Sequence, residues 1–189
     1  MRGSVEDAAE IVREQAGLLC RNPVAGPVLD LACGKGGNAV FLAGLGCAVE
    51  GLDRSTEALV EAAVLAKRRG VTVRWRQGDL EAPDAHLHDL LPPEAYAAVV
   101  VVKYLHRPLI PFIKDALRPG GVVVYETFTT RQREIADKPA NPAFLLMPGE
   151  LRRLFADFEF ITGFEGLREN PPRHVEAFEG RKPSRPAEI

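Results

Sequence analysis

The stretch Tyr96–Val102, YAAVVVV, limits the possible folds of this chain more than any other. An apolar run with no polar alternation has no face to show to water, so it reads as a strand covered on both sides. A parallel sheet with helices packed on each face supplies that cover. The flanking sequence is punctuated to match. Asn22-Pro23 and Gly26-Pro27 break the chain before a short apolar run, Val28, Leu29 and Leu31. Residues 34–37, GKGG, then turn it into a helix that ends near Gly44 and Gly46. Residues 47–52, CAVEGL, read as a second strand closing on Asp53. Ser55 can cap the next helix, with Glu57 and Glu61 near its positive end, Lys67, Arg68 and Arg69 near its negative end, and Gly70 beyond it. Residues 71–76, VTVRWR, read as a third strand before Gly78-Asp79, and 96–102 as the fourth. A helix shaped by Pro108 and Pro111 runs to Leu117, and Pro119-Gly120-Gly121 turns the chain into a fifth strand, VVVYETF.

Strands alternating with helices mean βαβ units with right-handed crossovers. Residues 128–148 lack this periodicity, and a segment of that kind in a compact domain is a lid, a binding loop or disordered. A helix, ELRRLFADF, follows, and then FEFITGFEG and RHVEAFEGR, parted by Asn170-Pro171-Pro172, which read as an antiparallel hairpin. Residues 5–20 carry helical spacing. The chain is thus expected to hold an N-terminal helical segment at 1–22, one α/β domain at 23–182 and a tail at 183–189.

A net charge of −2 gives no reason for whole-surface attraction to nucleic acid or to anionic membrane. No apolar run reaches the roughly 18–20 residues that span a bilayer. The first residues carry Glu6, Asp7 and Glu10 and lack a signal-peptide core, so a cytoplasmic protein is expected. Cysteines at 20, 33 and 47, odd in number and without a CxxC pair, argue against a disulfide framework or a zinc ribbon and for reduced thiols. His86 and His88 have no second ligand pair at metal spacing, so no metal site is expected.

The chemistry concentrates in Val28-Leu-Asp30-Leu-Ala32-Cys33-Gly34-Lys-Gly36-Gly37-Asn38, a strand, a glycine turn and a helix start. Glycines let backbone approach a ligand, and the helix offers free N–H groups. Open α/β sheets bind ligands at such strand ends. Gly34-x-Gly36-x-x-Ala39 also satisfies the dinucleotide pattern, so the acids discriminate better. A pyrophosphate has no use for Asp30 on the strand. A cationic ligand does, and the bland alternative is that Asp30 caps the turn. Asp53 can accept both hydroxyls of a ribose, or cap its helix. Asp79 in Gln77-Gly-Asp79-Leu80 can meet an adenine amino group, or serve as a turn residue.

These residues resemble the class I S-adenosylmethionine (SAM)-dependent methyltransferases over nearly the whole chain. Asp30 to Gly36 match that family's first motif, Asp53 its second and Gly78-Asp79-Leu80 its third. Leu117-Arg-Pro-Gly-Gly-Val122-Val-Val matches its stretch before strand five, and Val175-Glu-Ala-Phe-Glu-Gly-Arg-Lys-Pro its last strand. Small tellurite-resistance-type and thiopurine-type members are the most similar in the CGKGGNA run. Ala32 departs from the glycine many members carry. The resemblance implies a Rossmann-like, doubly wound α/β sheet of order 3-2-1-4-5-7-6 with strand 7 antiparallel. It implies SAM as cofactor, S-adenosylhomocysteine as product and a small-molecule methyl acceptor. Cofactor contacts are then expected from Asp30, Ala32, Cys33, Gly34, Gly36, Asn38, Asp53, Arg54, Asp79, Leu80 and Lys103.

The acceptor is expected over the ends of strands four and five. Those ends carry Tyr104, a candidate site residue that can also simply pack the adenosine; His106, a candidate base or a cap of the following helix; Arg107, an anion clamp or a surface pairing partner; and Glu126, a base or pocket wall. Arg131 and Arg133 in the following loop would suit an anionic acceptor. Methyl transfer is an in-line displacement that rests on positioning, so no catalytic dyad is required. Three other readings compete: an NAD-dependent oxidoreductase, a SAM-binding partner protein without turnover, and an RNA methyltransferase. The last lacks support, because Lys103-Tyr-Leu-His106 stands where an Asn-Pro-Pro-aromatic or Asp-Pro-Pro-aromatic tetrad would stand.

Overall fold

Parallel strands that bury both faces need helices above and below, and the computed structural model, which describes residues 8–83 and 85–185, shows that arrangement. Seven strands form one sheet: β1 Val28–Leu31, β2 Val49–Asp53, β3 Arg74–Gln77, β4 Tyr96–Val102, β5 Leu117–Phe128, β6 Glu159–Glu169 and β7 Pro172–Arg181. Their order is β3-β2-β1-β4-β5-β7-β6. β1 pairs in parallel with β2 and β4, β2 with β3 and β4 with β5, whereas β7 is antiparallel to both β5 and β6. This is the order implied by the resemblance.

Alternate residues of the central strands feed two cores. Leu29, Leu31, Val99, Val101 and Tyr125 face Leu109, Ile113 and Phe155, from helix α6 (Ile110–Ala116) and the turns beside it and beside α7 (Glu150–Leu154). Val28, Ala98, Val100 and Val124 face Ile11, Val12, Leu19, Ala39 and Leu42 from α1 (Glu10–Glu14), α2 (Ala16–Cys20) and α3 (Gly37–Gly44). Full burial of such side chains stabilises by about 1.5–3 kcal/mol each. Helix α4 (Thr56–Arg69) begins where Ser55 Oγ accepts from Ala58 N at 3.1 Å and stops at left-handed Gly70. A short helix, α5 (Leu87–Leu90), completes the set.

Two expectations are corrected. The helical spacing over 5–20 gives two short helices, because the chain leaves helical geometry at Gln15, φ −96° and ψ 10°; the first residues of that span lie outside the described ones. The thiols are not all free: Cys20 and Cys47 form a disulfide, with Cα atoms 5.4 Å apart, and Cys33 remains a buried thiol. The bond ties α2 to the turn before β2, so thiol parity carries no argument for a reducing compartment. No helix among the described residues is long and apolar enough to cross a membrane.

Candidate functional site

Parallel strands leave a crevice at their carboxyl ends. Here β1–β5 end around a cleft of about 290 Å³. It is lined by Ala32, Asp53, Arg54, Gly78, Asp79, Leu80, Glu81 and Lys103. Tyr104, Leu105, Thr127 and Phe128 line it too, together with Pro139 and Phe144 of the 128–148 segment.

The glycine loop is set by packing on one side and by open space on the other. Gly36 caps α3 with φ +77°, and a Cβ there would lie 2.6 Å from the Trp75 ring and 2.7 Å from Ala62 Cβ. Gly34 has φ +54°, yet a Cβ there would meet nothing within 4 Å. Gly36 is therefore demanded by the protein's own core, whereas Gly34 leaves room for a ligand. Ala32 also sits at φ 54°, a conformation that costs an L-residue roughly 1–2 kcal/mol.

Asp53 anchors this loop. Its Oδ2 accepts from Gly34 N at 2.7 Å and its Oδ1 from Ser55 N at 2.9 Å, which leaves further acceptor capacity on both oxygens. Asp79 Oδ1 accepts from Glu81 N at 2.9 Å. Asp30 does not line the cleft. It is buried and its Oδ2 accepts from Ala39 N at 3.0 Å, closing the first turn of α3. Burial raises its pKa to about 7, opposed by hydrogen bonds from Asn38 and Ala39. Asn38 in turn uses Oδ1 to accept from Ala9 N at 2.8 Å, so it holds the N-terminal segment rather than lining the cleft. Cys33 is buried behind the loop, donating its N–H to Leu52 O at 3.0 Å, and burial pushes its thiol pKa up.

After β4, Lys103 lies at φ 58° with its N–H on Glu126 O at 2.9 Å. The Tyr125 hydroxyl donates to Tyr104 O at 3.1 Å. The Tyr104 ring thus hangs from a backbone held on both flanks. Its hydroxyl is buried beside the carboxylates of Glu81 and Asp79. Burial, with the Glu81 carboxylate adding to it, moves its pKa upward.

The remaining candidates lie elsewhere. Arg107 is not a free anion clamp. Its Nε and Nη2 grip Glu150 at 2.6 and 2.9 Å, and it also donates to Ala143 O at 2.7 Å and Leu145 O at 3.0 Å. Glu126 is 1% exposed and meets Arg168 Nε at 2.7 Å and Arg173 at 3.8 Å, in a network with Glu10 and Glu14. It faces the N-terminal helices, not the cleft. His106 is half-buried just before the 3₁₀ turn Arg107–Leu109 and does not line the cleft. Sequence reasoning missed Glu81 and Leu105, while Phe128 and Pro139, not named singly, fall in the 128–148 segment it read as a lid or binding loop. Glu81 directly follows the Gly78-Asp79-Leu80 motif and Leu105 follows Tyr104, so continuing each motif by one residue would have found both.

Residues 28–121 match the model of a family described as a methyltransferase domain. This chain belongs to the class I SAM-dependent methyltransferases. A ubiquinone biosynthesis O-methyltransferase from Paraburkholderia phytofirmans is 35% identical over 105 residues, covering 53% of this chain and 43% of that protein. A ribosomal protein L11 methyltransferase from Thermus thermophilus is 39% identical over 95 residues, covering 50% of this chain and 35% of that protein. The chain thus spans less than half the length of these curated relatives. Among solved structures, TehB from Haemophilus influenzae superposes with a TM-score of 0.72 at 19% identity, covering 93% of this chain and 62% of that one, a likeness of fold. The matched stretch includes the glycine loop between β1 and α3.

Proposed function

We propose that this chain transfers a methyl group from SAM to a small-molecule acceptor and releases S-adenosylhomocysteine. The observation that carries the reading is the Gly34–Asp53 pair: a left-handed glycine facing open space, hydrogen-bonded to a carboxylate with acceptor capacity to spare, both at the end of the central sheet. Those residues fit SAM. Asp53 would accept from the ribose hydroxyls, Asp79 from the adenine amino group, and Leu80 would supply an apolar wall. The backbone of Ala32 and Gly34 would receive the amino-acid end. When bound, SAM supplies an electrophilic methyl group on a sulfonium. The chain itself supplies position and dryness: Pro139 and Phe144 roof the cleft, and Arg107 and Glu150 hold that roof.

Thermal shift tests the reading. A ligand at one hundred times its dissociation constant stabilises by about 2.7 kcal/mol, so SAM and S-adenosylhomocysteine should both raise the melting temperature. Folded protein that shifts with neither at millimolar concentration would end the proposal. Asp53→Ala should weaken S-adenosylhomocysteine at least tenfold, as expected where hydrogen bonds to a charged group contribute about 1.5–3 kcal/mol. An unchanged affinity would mean that Asp53 serves only its loop.

A further inference from the structure

The two edges of the sheet differ in character. β3 closes one side with four residues, two of them arginines, Arg74 and Arg76. β6 closes the other with eleven, and among the described residues no strand pairs with its outer row of N–H and C=O groups. An open edge of that length is a template for another strand, and proteins blunt such edges with lysine, proline or bulges. Between Glu159 and Glu169 there is neither lysine nor proline, and the one bulge lies at the start of the strand, between Phe160 and Thr162. The strand instead presents Phe160, Ile161, Phe164 and Leu167 to solvent, each 38–47% exposed. Together they leave roughly 300 Å² of apolar surface in one row, the size at which an exposed patch marks an interaction site. None of the four lines the cleft.

The order of residues along β6 names the occupant. EFITGFEGLRE is nearly symmetric about Phe164: Ile161 and Leu167 stand three places to either side, and Glu159 and Glu169 five. A closed dimer asks for this, because across a two-fold axis residue i meets j and j meets i. An antiparallel copy centred on Phe164 sets Phe164 against Phe164 and Ile161 against Leu167 twice over, with Cβ atoms about 4.5–5.5 Å apart. A partner of different sequence has no reason to match that symmetry. The like-charge pairing in this register, Glu159 against Glu169 of the second copy, has cations beside it. Arg181 stands opposite Glu159 on β7, and the exposed Arg152 lies over the Phe160 ring, 4.0 Å from its centroid. An eleven-residue pairing runs about 37 Å. Surface grooves flank the strand, one beside Arg152 and Arg153 and one beside Glu10 and Arg13, so neighbouring side chains can extend the contact toward the about 800 Å² per chain of a standard interface.

We propose that β6 pairs antiparallel with β6 of a second copy of this chain, joining the two sheets into one across a two-fold axis at Phe164. The pairing satisfies the open backbone row of each copy and takes both apolar rows out of water. It leaves the cleft of each copy outside the interface.

Sedimentation equilibrium of the full chain tests this without ligand or turnover, so its outcome is independent of the methyl-transfer reading. Interfaces of standard size reach micromolar dissociation constants or better, so the chain at about 0.1 mM should be a dimer. Phe164→Glu and Phe164→Lys each set like charges face to face on the axis, and each should sediment as a monomer with the circular dichroism of the parent. Mixed in equal amounts they should dimerise again, because the axis then pairs Glu with Lys. Leu167→Glu, at the most exposed of the four positions, should also dissociate the dimer. Val60→Glu, at a 60% exposed apolar position on α4, should leave it intact. The proposal falls if the parent chain is a monomer at that concentration, or if Phe164→Glu or Leu167→Glu still dimerises. It falls equally if the folded Glu and Lys variants stay apart when mixed, or if Val60→Glu dissociates the dimer as well.

Discussion

Ala32 shows what a single backbone angle means. The sequence flags it only as a departure from glycine, and the structure gives the consequence, φ 54° in a residue with a Cβ. Glycine adopts this region freely but loses more entropy on folding, roughly 0.5–1 kcal/mol. Set against a left-handed cost of roughly 1–2 kcal/mol, Ala32→Gly should stabilise by about 0.5–1 kcal/mol, read as a higher urea midpoint. An unchanged or lower midpoint would show that the Ala32 methyl group contributes packing that offsets the strain. Gly36 and Gly34 make a sharper contrast. Gly36→Ala meets both its positive φ and the Trp75 ring, and should cost about 2–4 kcal/mol. Gly34→Ala meets only the angle and should cost about half as much, so equal losses in urea melts would contradict the packing account. The glycine pattern was legible from the sequence, but not which glycine answers to the core and which to a ligand. Asp30 has the same ambiguity: a carboxylate at the end of a strand reads equally as ligand or cap, and only the bond to Ala39 N shows that it caps.

Elements were legible where their signal is local. The run at 96–102 matches β4, and the Ser55 cap and Gly70 stop bracket α4 as read. The contacts that fix the roof are not local. Arg107 and Glu150 lie 43 positions apart, so nothing in either sequence neighbourhood predicts their pairing, and Arg107 read as an anion clamp. Cys20 and Cys47 were missed for a related reason: parity argues against a full framework, yet a single bond with one thiol left over needs only the proximity the fold provides. Because Arg107 also holds the carbonyls of Ala143 and Leu145, and Glu150 Oε2 accepts from Met147 N at 2.8 Å, Arg107→Ala should free the segment that carries Phe144. We expect faster proteolysis between residues 131 and 147 and an acceptor KM raised severalfold, with SAM affinity within twofold. Unchanged proteolysis would show that the roof is held by the Thr129–Leu146 bridge rather than by Arg107.

At the scale of the whole molecule, the two-sided core was readable because strands without polar alternation permit nothing else, but the acids inside it were not. Asp30 and Glu179 are 1% and 3% exposed, and burial raises the pKa of each to about 7. The sign of the consequence follows from proton counts. Below about pH 4 both carboxyls are protonated whether the chain is folded or not, and they contribute no difference. As pH rises, the unfolded chain ionises them near ordinary carboxylate values while the folded chain keeps its protons up to about 7. The folded state then binds more protons, so stability falls between about pH 4 and 7, by up to about 1.4 kcal/mol per pH unit for each group, and levels off above. Glu150 works the other way: its pairing with Arg107 holds its pKa below the usual value, so its contribution is lost as pH falls through the acid range. Urea melts across pH 4–8 should therefore show stability greatest in the mildly acidic range and lower at neutrality. Asp30→Asn isolates the buried carboxyl, because the asparagine oxygen can still accept from Ala39 N as Asp30 Oδ2 does. That variant should flatten the decline and be more stable than the parent at pH 8. A variant that keeps the full slope would place the titration elsewhere, and a parent whose stability rises from pH 4 to 7 would mean that Asp30 ionises freely inside the core.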